Sequence, residues 1–475
     1  MKFNTLAYNL SISVLCCIFN LNFLQAQQTD TYFLSELEFI TILRKFHPII
    51  KQADLGIEQA KSNLLASRAA FDPVFNYHLD RKTFDGRNYF TYINPELRMP
   101  TWYGIELKAG MEDNTGNNFN QEVTIGVSSY LGVKVPLARN LLFDERRAVL
   151  GQAKLFVNLS KIERDLLIND LYYNAIATYW NWVMEFNTLK VLDSVVAINE
   201  QRFRLLKLSW QQGDIPAIDT IEAQAQLQNF IIQQQDILYK FIAAGYTLSN
   251  YLWLDNSVPF EMNNQVFPSG QLNQKEATNN EIQPLVEMIA IVSSSHPKLK
   301  QFQNKLQILD IDRKLNFQSL LPKFDLKANL LNNEYFAWKG INAQLLENNY
   351  KFGVDVQIPL RFSEGRGKFR ATQFKIQDTE YGQIQERLAL INELKSRYQQ
   401  VLILQKQITW ANSNFENYSR LFKGELTRFS VGESSLFLLN MRENKMLESR
   451  IQLIEIQTRY LQSRAGLIWA AGQYK

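Results

Sequence analysis

The chain has 475 residues, enough for several domains or for an internal duplication. Its 46% hydrophobic and 21% charged residues, with only 20 glycines and 12 prolines, exclude a disordered, collagen-like or turn-rich all-β protein. The formal net charge of +4 predicts no surface for nucleic-acid binding.

The N-terminus has the features of a secretory signal peptide. Lys2 is the only charge before an apolar stretch that ends near the small residue Ala26. We therefore predict a signal peptide at residues 1–26. The only cysteines, Cys16 and Cys17, would leave with it, which excludes disulfides and cysteine-based zinc sites from the mature chain. Lipidation is the alternative, but the residue before Cys16 is not small.

Several features recur in the same order in two halves of the chain, which predicts an internal duplication. We predict repeat 1 at residues 27–255, a Gly/Asn-rich linker at 256–280 and repeat 2 at 281–475. Repeat 1 is the longer, mainly between its second and third matched features. The matches are His47-Pro48 with His296-Pro297, Pro73 with Pro322, Pro136 with Pro359, and Gly213 with Gly432.

Apolar and polar residues alternate in the segments beside the matched prolines. A period of two predicts β-strands with one apolar and one polar face. We predict strands within about residues 73–136 and 322–359. In repeat 1, the alternation from Tyr103 to Met111 fits either an additional strand or an extension of the strand pair.

After the signal peptide, no segment has the run of apolar residues that a transmembrane helix requires. The mature protein is then either soluble outside the inner membrane or inserted in a membrane through its strands.

Long helices are predicted at about residues 140–212 and 366–431, where apolar residues recur at spacings of three and four. This spacing is typical of a coiled-coil seam, and each helix would extend about 100 Å. Shorter helices are predicted at 31–70, 215–253, 281–320 and 434–470. The clearest seam comprises Val401, Leu404, Ile408, Ala411, Phe415, Tyr418 and Phe422.

This order of elements resembles the TolC-like family of outer-membrane efflux and secretion channels. The resemblance rests on the two His-Pro dipeptides, the proline-flanked strands, and the turns at 213–219 and 432–437. It implies a mainly α fold with β: an internally duplicated, long α-helical coiled-coil barrel plus a β-barrel completed by homotrimerisation, with four strands per chain and twelve in the trimer. Physical reasoning agrees, since four strands cannot close a barrel and a membrane tolerates no unpaired strand edge.

In this family the two turns lie at the periplasmic tip, where the channel meets its adaptor protein. The resemblance therefore implies that Gly213, Asp214, Gly432 and Glu433 form the tip turns and contribute to adaptor docking.

A tunnel constriction is expected just beyond these turns. Asp219 and Glu222 lie one helical turn apart, so both can face a tunnel, where rings of carboxylates would attract cations and respond to pH. The alternative for Asp219 is a first-turn acid stabilised by the helix dipole. The second half has Leu438 and Met441 at the matching positions, with Asn440 nearby, and so departs from the aspartate gate often found in the family.

Several other motifs have structural interpretations. We predict that His47 and His296 begin helices rather than bind a metal. The run at 363–369 resembles a phosphate-binding loop but lacks its first glycine and its Ser or Thr, so we interpret it as a turn between strand and helix. The aromatic group Tyr179, Trp180 and Trp182 is interpreted as seam packing rather than a ligand cage.

Aromatic residues near the strand ends are predicted to form the interfacial girdle of a membrane barrel, with core or loop packing as the alternative. They are Trp102, Tyr103, Tyr130, Phe336 and Trp338.

The function predicted from these features is that of a passive outer-membrane duct for a tripartite efflux pump or a type I secretion system. The expected partners are two further copies of the chain, a periplasmic adaptor, an inner-membrane transporter and outer-membrane lipid. No catalytic arrangement, metal site or cofactor is predicted. The first alternative is a periplasmic or secreted coiled-coil scaffold without channel activity. A stand-alone porin is disfavoured because most of the chain is predicted to be helical.

Overall fold

The computed structural model describes residues 32–116, 124–262, 265–269, 282–333 and 349–474. The predicted signal peptide lies outside these residues, as do most of the predicted linker and the aromatic residues Phe336 and Trp338. The extent of the signal peptide, linker and repeats therefore remains a prediction.

The chain divides into two compact units, each built from segments of both predicted repeats. Unit 1 takes residues 1–46, 175–277 and 407–459, and unit 2 takes residues 47–174, 278–406 and 460–475.

Unit 1 contains a short parallel sheet and the ends of long helical hairpins. Strand β1 (Tyr32–Leu34) pairs with β6 (Val266–Pro268), and helix α1 (Glu36–Phe46) follows β1. Ser35 and Glu38 form a reciprocal cap at the start of α1, because each side chain accepts a hydrogen bond from the other residue's backbone N–H.

The ends of two helical hairpins complete this unit. Helix α3 (Glu145–Gln212) leads into α4 (Ala217–Ser249), and α7 (Ser363–Ser430) leads into α8 (Leu436–Ala470). Helices α3 and α7 each have 68 residues. Among the described residues, no helix combines the length and hydrophobicity required to cross a membrane.

The aromatic group of α3 belongs to the core of unit 1. Tyr179 stacks on Phe39 with ring centroids 5.5 Å apart, and its hydroxyl donates a hydrogen bond of 3.0 Å to the carbonyl of Leu34. Trp182 is fully buried and stacks on Phe241. These side chains are packed against protein on all sides, which confirms their interpretation as packing residues.

Unit 2 contains a six-stranded antiparallel sheet with strand order β2-β3-β4-β5-β7-β8. The strands are β2 (Val74–Phe84), β3 (Arg87–Pro100), β4 (Glu106–Thr115), β5 (Gly126–Pro136), β7 (Lys323–Asn333) and β8 (Tyr350–Gln357).

The sheet has two more strands than the four implied by the family resemblance. The addition lies in repeat 1, whose greater length is taken up by a second hairpin. The alternation from Tyr103 to Met111 falls largely in the separate strand β4. Asp85 and Gly86 form the tight turn between β2 and β3 with φ of 50° and 70°, and Asp-Gly is a sequence typical of such hairpins.

The helices of unit 2 include α2 (Pro48–Arg68), α5 (Leu285–Ser295) and α6 (Pro297–Gln318). In both halves a single predicted helix is interrupted at its His-Pro dipeptide. The Nδ1 atoms of His47 and His296 each accept a bond of 3.2 Å from the backbone N–H two residues later, and proline occupies the first helical turn. Both histidines therefore begin helices, as predicted.

The run at 363–369 differs from the predicted turn, because it forms the first turns of α7. The preceding residue, Phe362, has a φ of 51°, in the left-handed region. Gly365 lies against the carbonyl of Ser319, where a Cβ would approach to 2.6 Å, so glycine is required here by close packing rather than by phosphate binding.

The burial of His296 predicts an acid-sensitive unit 2. Burial, with a contribution from Lys298, lowers the pKa of His296 to about 4 from its ordinary value of 6.5. Because the pKa is lower in the folded chain, this contribution is fully present above about pH 6.5 and is lost as the pH falls towards about 4. We expect a loss of about 2 kcal/mol between pH 7 and pH 5.

Thermal unfolding of the detergent-solubilised protein at both pH values measures this loss. The variant His296→Asn keeps an acceptor for the helix cap and should flatten the pH dependence. An unchanged pH dependence in this variant would contradict the assignment.

Candidate functional site: the tip turns and the faces of the sheet

The turns predicted at residues 213–219 and 432–437 are found at residues 213–216 and 431–435, and both have the same backbone structure. Gly213 and Gly432 adopt φ of 85° and 79°, the left-handed region that favours glycine. Both helices end in the Schellman arrangement, in which two N–H groups satisfy carbonyls of the last turn. The bonds run from Gly213 to Trp210 (3.0 Å), Asp214 to Ser209 (2.9 Å), Gly432 to Phe429 (3.1 Å) and Glu433 to Arg428 (2.9 Å).

The side chains at these turns are accessible. Asp214 and Glu433, which follow the two glycines, are exposed and add negative charge to the turns. Large apolar side chains beside them are also exposed, at 64% for Ile218, 66% for Val431 and 64% for Phe437. The turns therefore present an acidic and apolar surface.

A hydrophobic cluster joins the two hairpins just behind the turns. Its buried members come from all of α3, α4 and α8, and phenylalanines of α7 pack against them. The buried members are Leu206, Ala223, Leu436 and Leu439.

A buried ion pair connects the same hairpins. Arg202 of α3 makes two hydrogen bonds to Glu443 of α8, at 2.7 Å and 3.0 Å. The side chains are only 11% and 3% exposed. Arg202 also donates to the side chain of Asn199, so its charge and hydrogen-bonding groups are well satisfied.

A second buried acid lies on α7. Glu425 accepts a hydrogen bond from the hydroxyl of Ser434 in the tip turn, and Arg442 of α8 lies 3.8 Å from its carboxylate. Sequence reasoning missed Arg202, Glu425 and Glu443. The available signal was spacing, because Glu425 extends the seam of α7 by three residues beyond Phe422.

The predicted constriction residues do not share one environment. Glu222 is half-buried and accepts a hydrogen bond of 3.1 Å from Asn440, which is buried. Asp219 is half-buried in the first turn of α4, Leu438 is half-buried, and Met441 is 39% exposed. The structure thus joins Glu222 to Asn440, and the constriction role of all five residues remains a proposal.

The sheet of unit 2 has one continuous apolar face. A row of directly paired residues crosses all six strands on this face. Its five large side chains are 37% to 68% exposed. The row consists of Phe75, Leu97, Ala109, Leu131, Leu330 and Tyr350.

The opposite face is polar, and on its middle strands the side chains cover one another. Tyr130 is 4% exposed, lies across Gly110 and donates a hydrogen bond of 2.9 Å to Glu96 two strands away. Lys134 and Asp325 form an ion pair of 3.4 Å on this face. Exposed apolar and covered polar side chains are the reverse of a sheet that faces water.

The structure also revises the predicted aromatic girdle. Tyr130 is wrong as a girdle residue, because its place on the polar face is fixed by the hydrogen bond to Glu96. Trp102 and Tyr103 lie in the turn between β3 and β4 and are 50% and 73% exposed. Trp102 also contacts the ring of Phe71.

Within the described ranges, no group of three or more His, Cys, Asp or Glu side chains is arranged to hold a metal ion. His78 lies on the polar sheet face, with its Nε2 atom 2.8 Å from Asp80.

Residues 290–473 match the family model described as outer membrane efflux protein. No curated protein sequence matches the chain.

Three solved structures illustrate the structural similarity. The CmeC outer membrane channel of Campylobacter jejuni is 13% identical, with a TM-score of 0.65 over 92% of this chain and 86% of that one. The outer membrane protein VceC of Vibrio cholerae is 11% identical, with a TM-score of 0.64 and coverages of 92% and 95%. The MtrE outer membrane channel of Neisseria gonorrhoeae is 13% identical, with a TM-score of 0.65 and coverages of 92% and 89%. At these identities the likeness shows the fold.

The predicted resemblance to the TolC-like channels and the predicted mainly α fold with β are confirmed. The family match also confirms the predicted location in the outer membrane, with a large periplasmic part.

Breaking the buried ion pair between Arg202 and Glu443 should strongly lower the stability of the fold. Glu443→Ala leaves a buried arginine without its partner and should lower the free energy of unfolding by about 3–5 kcal/mol. Replacing both residues by methionine should recover most of the loss, because no buried charge then remains unpaired.

Denaturant unfolding of the purified protein measures these changes. Glu448→Ala is the matched control on the same helix, since its pair with Lys445 is exposed and should be worth at most about 1 kcal/mol. Equal effects of Glu443→Ala and Glu448→Ala would contradict the importance of burial.

Proposed function

We propose that the chain forms the outer-membrane duct of a tripartite efflux pump or a type I secretion system. Three copies would form a passive channel, and a periplasmic adaptor and an inner-membrane transporter would open its helical tip. The energy for transport would come from the transporter.

The observation that carries this proposal is the exposed apolar face of the sheet. It runs without interruption from Phe75 on one edge strand to Tyr350 on the other. Burying such side chains in lipid is favourable by about 25 cal/mol per Å², whereas exposing a face of this extent to water favours aggregation. The polar face would then line an aqueous lumen.

The edges of the sheet support an assembly of several chains. In the part of the chain that the structure describes, strands β2 and β8 each have one neighbour, so each leaves a row of backbone groups without a partner from the sheet. In lipid, every such group costs several kcal/mol unless it is hydrogen bonded. Other copies of the chain would supply the missing partners.

The tip turns support docking of a partner protein. Exposed acidic residues at Asp214 and Glu433 lie beside exposed apolar residues such as Val431 and Phe437. An exposed apolar patch with a polar rim is typical of a protein-binding surface. We propose these turns, with Gly213 and Gly432 setting their backbone, as the adaptor-docking site.

Opening of the tip would require the two hairpins to separate. The contacts between Arg202 and Glu443, and between Glu222 and Asn440, would then break. Because breaking a buried ion pair costs several kcal/mol, the tip would remain closed without a partner. Partners would open it only by binding the open state more tightly than the closed state.

The rival function is a periplasmic or secreted coiled-coil scaffold. Extraction of the membrane fraction distinguishes the two. A channel should be released only by detergent, because its apolar face lies in lipid. Release of the protein by salt or osmotic shock would contradict the channel.

A charge on the apolar face should prevent insertion. Val354→Arg places a charge at the middle of β8, which costs about 2–4 kcal/mol near the centre of a bilayer. We expect much less protein in the outer-membrane fraction, measured by immunoblotting after fractionation.

Gly353→Arg is the matched control. Gly353 lies next to Val354 in β8, and a side chain added there would project from the polar face. No atom lies within 4 Å of the position that its Cβ would take. Equal loss of both variants would contradict the assignment of the two faces.

The proposed acid constriction can be tested by electrical recording. Replacement of Asp219 and Glu222 by alanine should weaken block by divalent cations and reduce the pH response of the single-channel current in planar bilayers. Ile221→Ala is the control, because this exposed residue lies between the two acids on α4 and its replacement removes no charge. Unchanged block and pH response in the double variant would refute the acid ring.

A further inference from the structure

The two free edges of the sheet are complementary to each other. The sheet contains an even number of antiparallel strands, so β2 and β8 run in opposite directions. The β8 edge of one copy can therefore meet the β2 edge of the next copy as an antiparallel pair, with the same geometry as the pairs within the chain.

The apolar face restricts how these edges can be aligned. Residues directly opposite each other in a sheet point to the same face. Phe75, Tyr77 and Leu79 lie on the apolar face of β2, as do Val354 and Val356 on β8. The face continues from copy to copy only if these sets oppose each other, so the possible alignments differ by two residues.

Three such alignments are compared, in which Phe75 opposes Val354, Val356 or Ile358 of the next copy. They differ in the tilt that the strands would have in a closed barrel. The row of paired residues that begins at Phe75 leaves the sheet at Tyr350. With Val356 opposite Phe75, Tyr350 opposes Arg81, so the row enters β2 of the next copy at Arg81 instead of Phe75. Over the six strands of one chain, the row has therefore shifted by one residue per strand.

A shift of one residue per strand corresponds to a tilt of about 36°, within the usual barrel range of about 35–45°. The alignment on Val354 gives about 25°, outside that range, and pairs fewer residues of β8. The alignment on Ile358 gives about 43° and is allowed by tilt alone.

Charge separates the two remaining alignments. With Val356 opposite Phe75, Asp80 faces Lys351 on the polar side, and opposite charges in this position are favourable. With Ile358 opposite Phe75, Lys82 faces Lys351, and like charges directly opposite are destabilising.

We propose that β8 of each copy pairs with β2 of the next, with Phe75 opposite Val356 and His78 opposite Gly353. This proposal rests on the proposed trimer. Because each chain supplies six strands, the pairing closes a barrel of eighteen strands. The resemblance to TolC-like channels implied twelve. The additional hairpin of repeat 1 therefore widens the barrel, and eighteen strands leave room for an aqueous channel.

Disulfide crosslinking tests the pairing in the full-length protein. His78→Cys and Gly353→Cys place two thiols opposite each other on the water-facing side, where directly paired Cβ atoms lie about 4.5–5.5 Å apart. After oxidation of outer membranes, we expect most of the protein to run on a non-reducing denaturing gel as a ladder that ends at three copies.

Four matched pairs serve as controls, together with the wild-type chain. His78→Cys with Lys351→Cys and His78→Cys with Asp355→Cys test the two shifted alignments. His78→Cys with Val354→Cys places the thiols on opposite faces. Lys108→Cys with Asp355→Cys tests a barrel with four strands per chain, in which β8 of one copy pairs with β4 of the next. The strand tilt in this alternative is the same as in the proposed pairing.

Each result decides a separate point. Stronger crosslinking in a shifted pair overturns the alignment, and crosslinking through Lys108 instead of His78 overturns the eighteen strands. A ladder that ends at another number overturns the count of three copies. No crosslinking in protein that only detergent releases overturns the edge pairing but leaves the proposed function, whereas release without detergent contradicts that function itself.

Discussion

The hydrogen-bonding requirement of the backbone in lipid is the constraint on which this structure depends. A sheet with its apolar face outward can lie in a membrane only if both edge strands find partners. Among the described residues, strands β2 and β8 have one neighbour each, so a single copy would leave both edges of the sheet unpaired in a membrane. The proposed assembly resolves this requirement without any additional element, since the two edges run in opposite directions and carry the same apolar face.

A different constraint acts in unit 1, where helices rather than strands must be aligned. Apolar clusters alone tolerate sliding of one helix along another. The pair of Arg202 with Glu443, and the bond of Asn440 to Glu222, permit only one alignment of the two hairpins. Buried ion pairs contribute little net stability but penalise every arrangement that leaves a charge unpaired. We infer that these contacts define the closed state of the tip, while the exposed turns remain available to a partner.

Much of the fold could be predicted because its signals are local. Alternation predicted the strands and their faces, and spacing of three and four predicted the long helices. The repeated glycines predicted two equivalent turns, and the structure shows the same left-handed backbone at Gly213 and Gly432. Strand β3 was missed although its Asp85-Gly86 turn is a local signal, because the family resemblance favoured four strands. Strand β4 had been one of two alternatives for the alternation from Tyr103 to Met111. Tyr130 was misplaced because aromatic side chains are common both in girdles and on covered polar faces.

By itself, the sequence determined most of the strands and helices, which face of the predicted strands is apolar, and where the helical hairpins turn. These properties follow from side-chain periodicity and from the freedom of glycine at positive φ, which depend on near neighbours in the chain. The tertiary structure alone decided that six strands form one sheet, that Tyr130 reaches Glu96 across Gly110, and that Arg202 meets Glu443. Such contacts join residues far apart in sequence, and their energy depends on burial and exact partners, which no local pattern specifies.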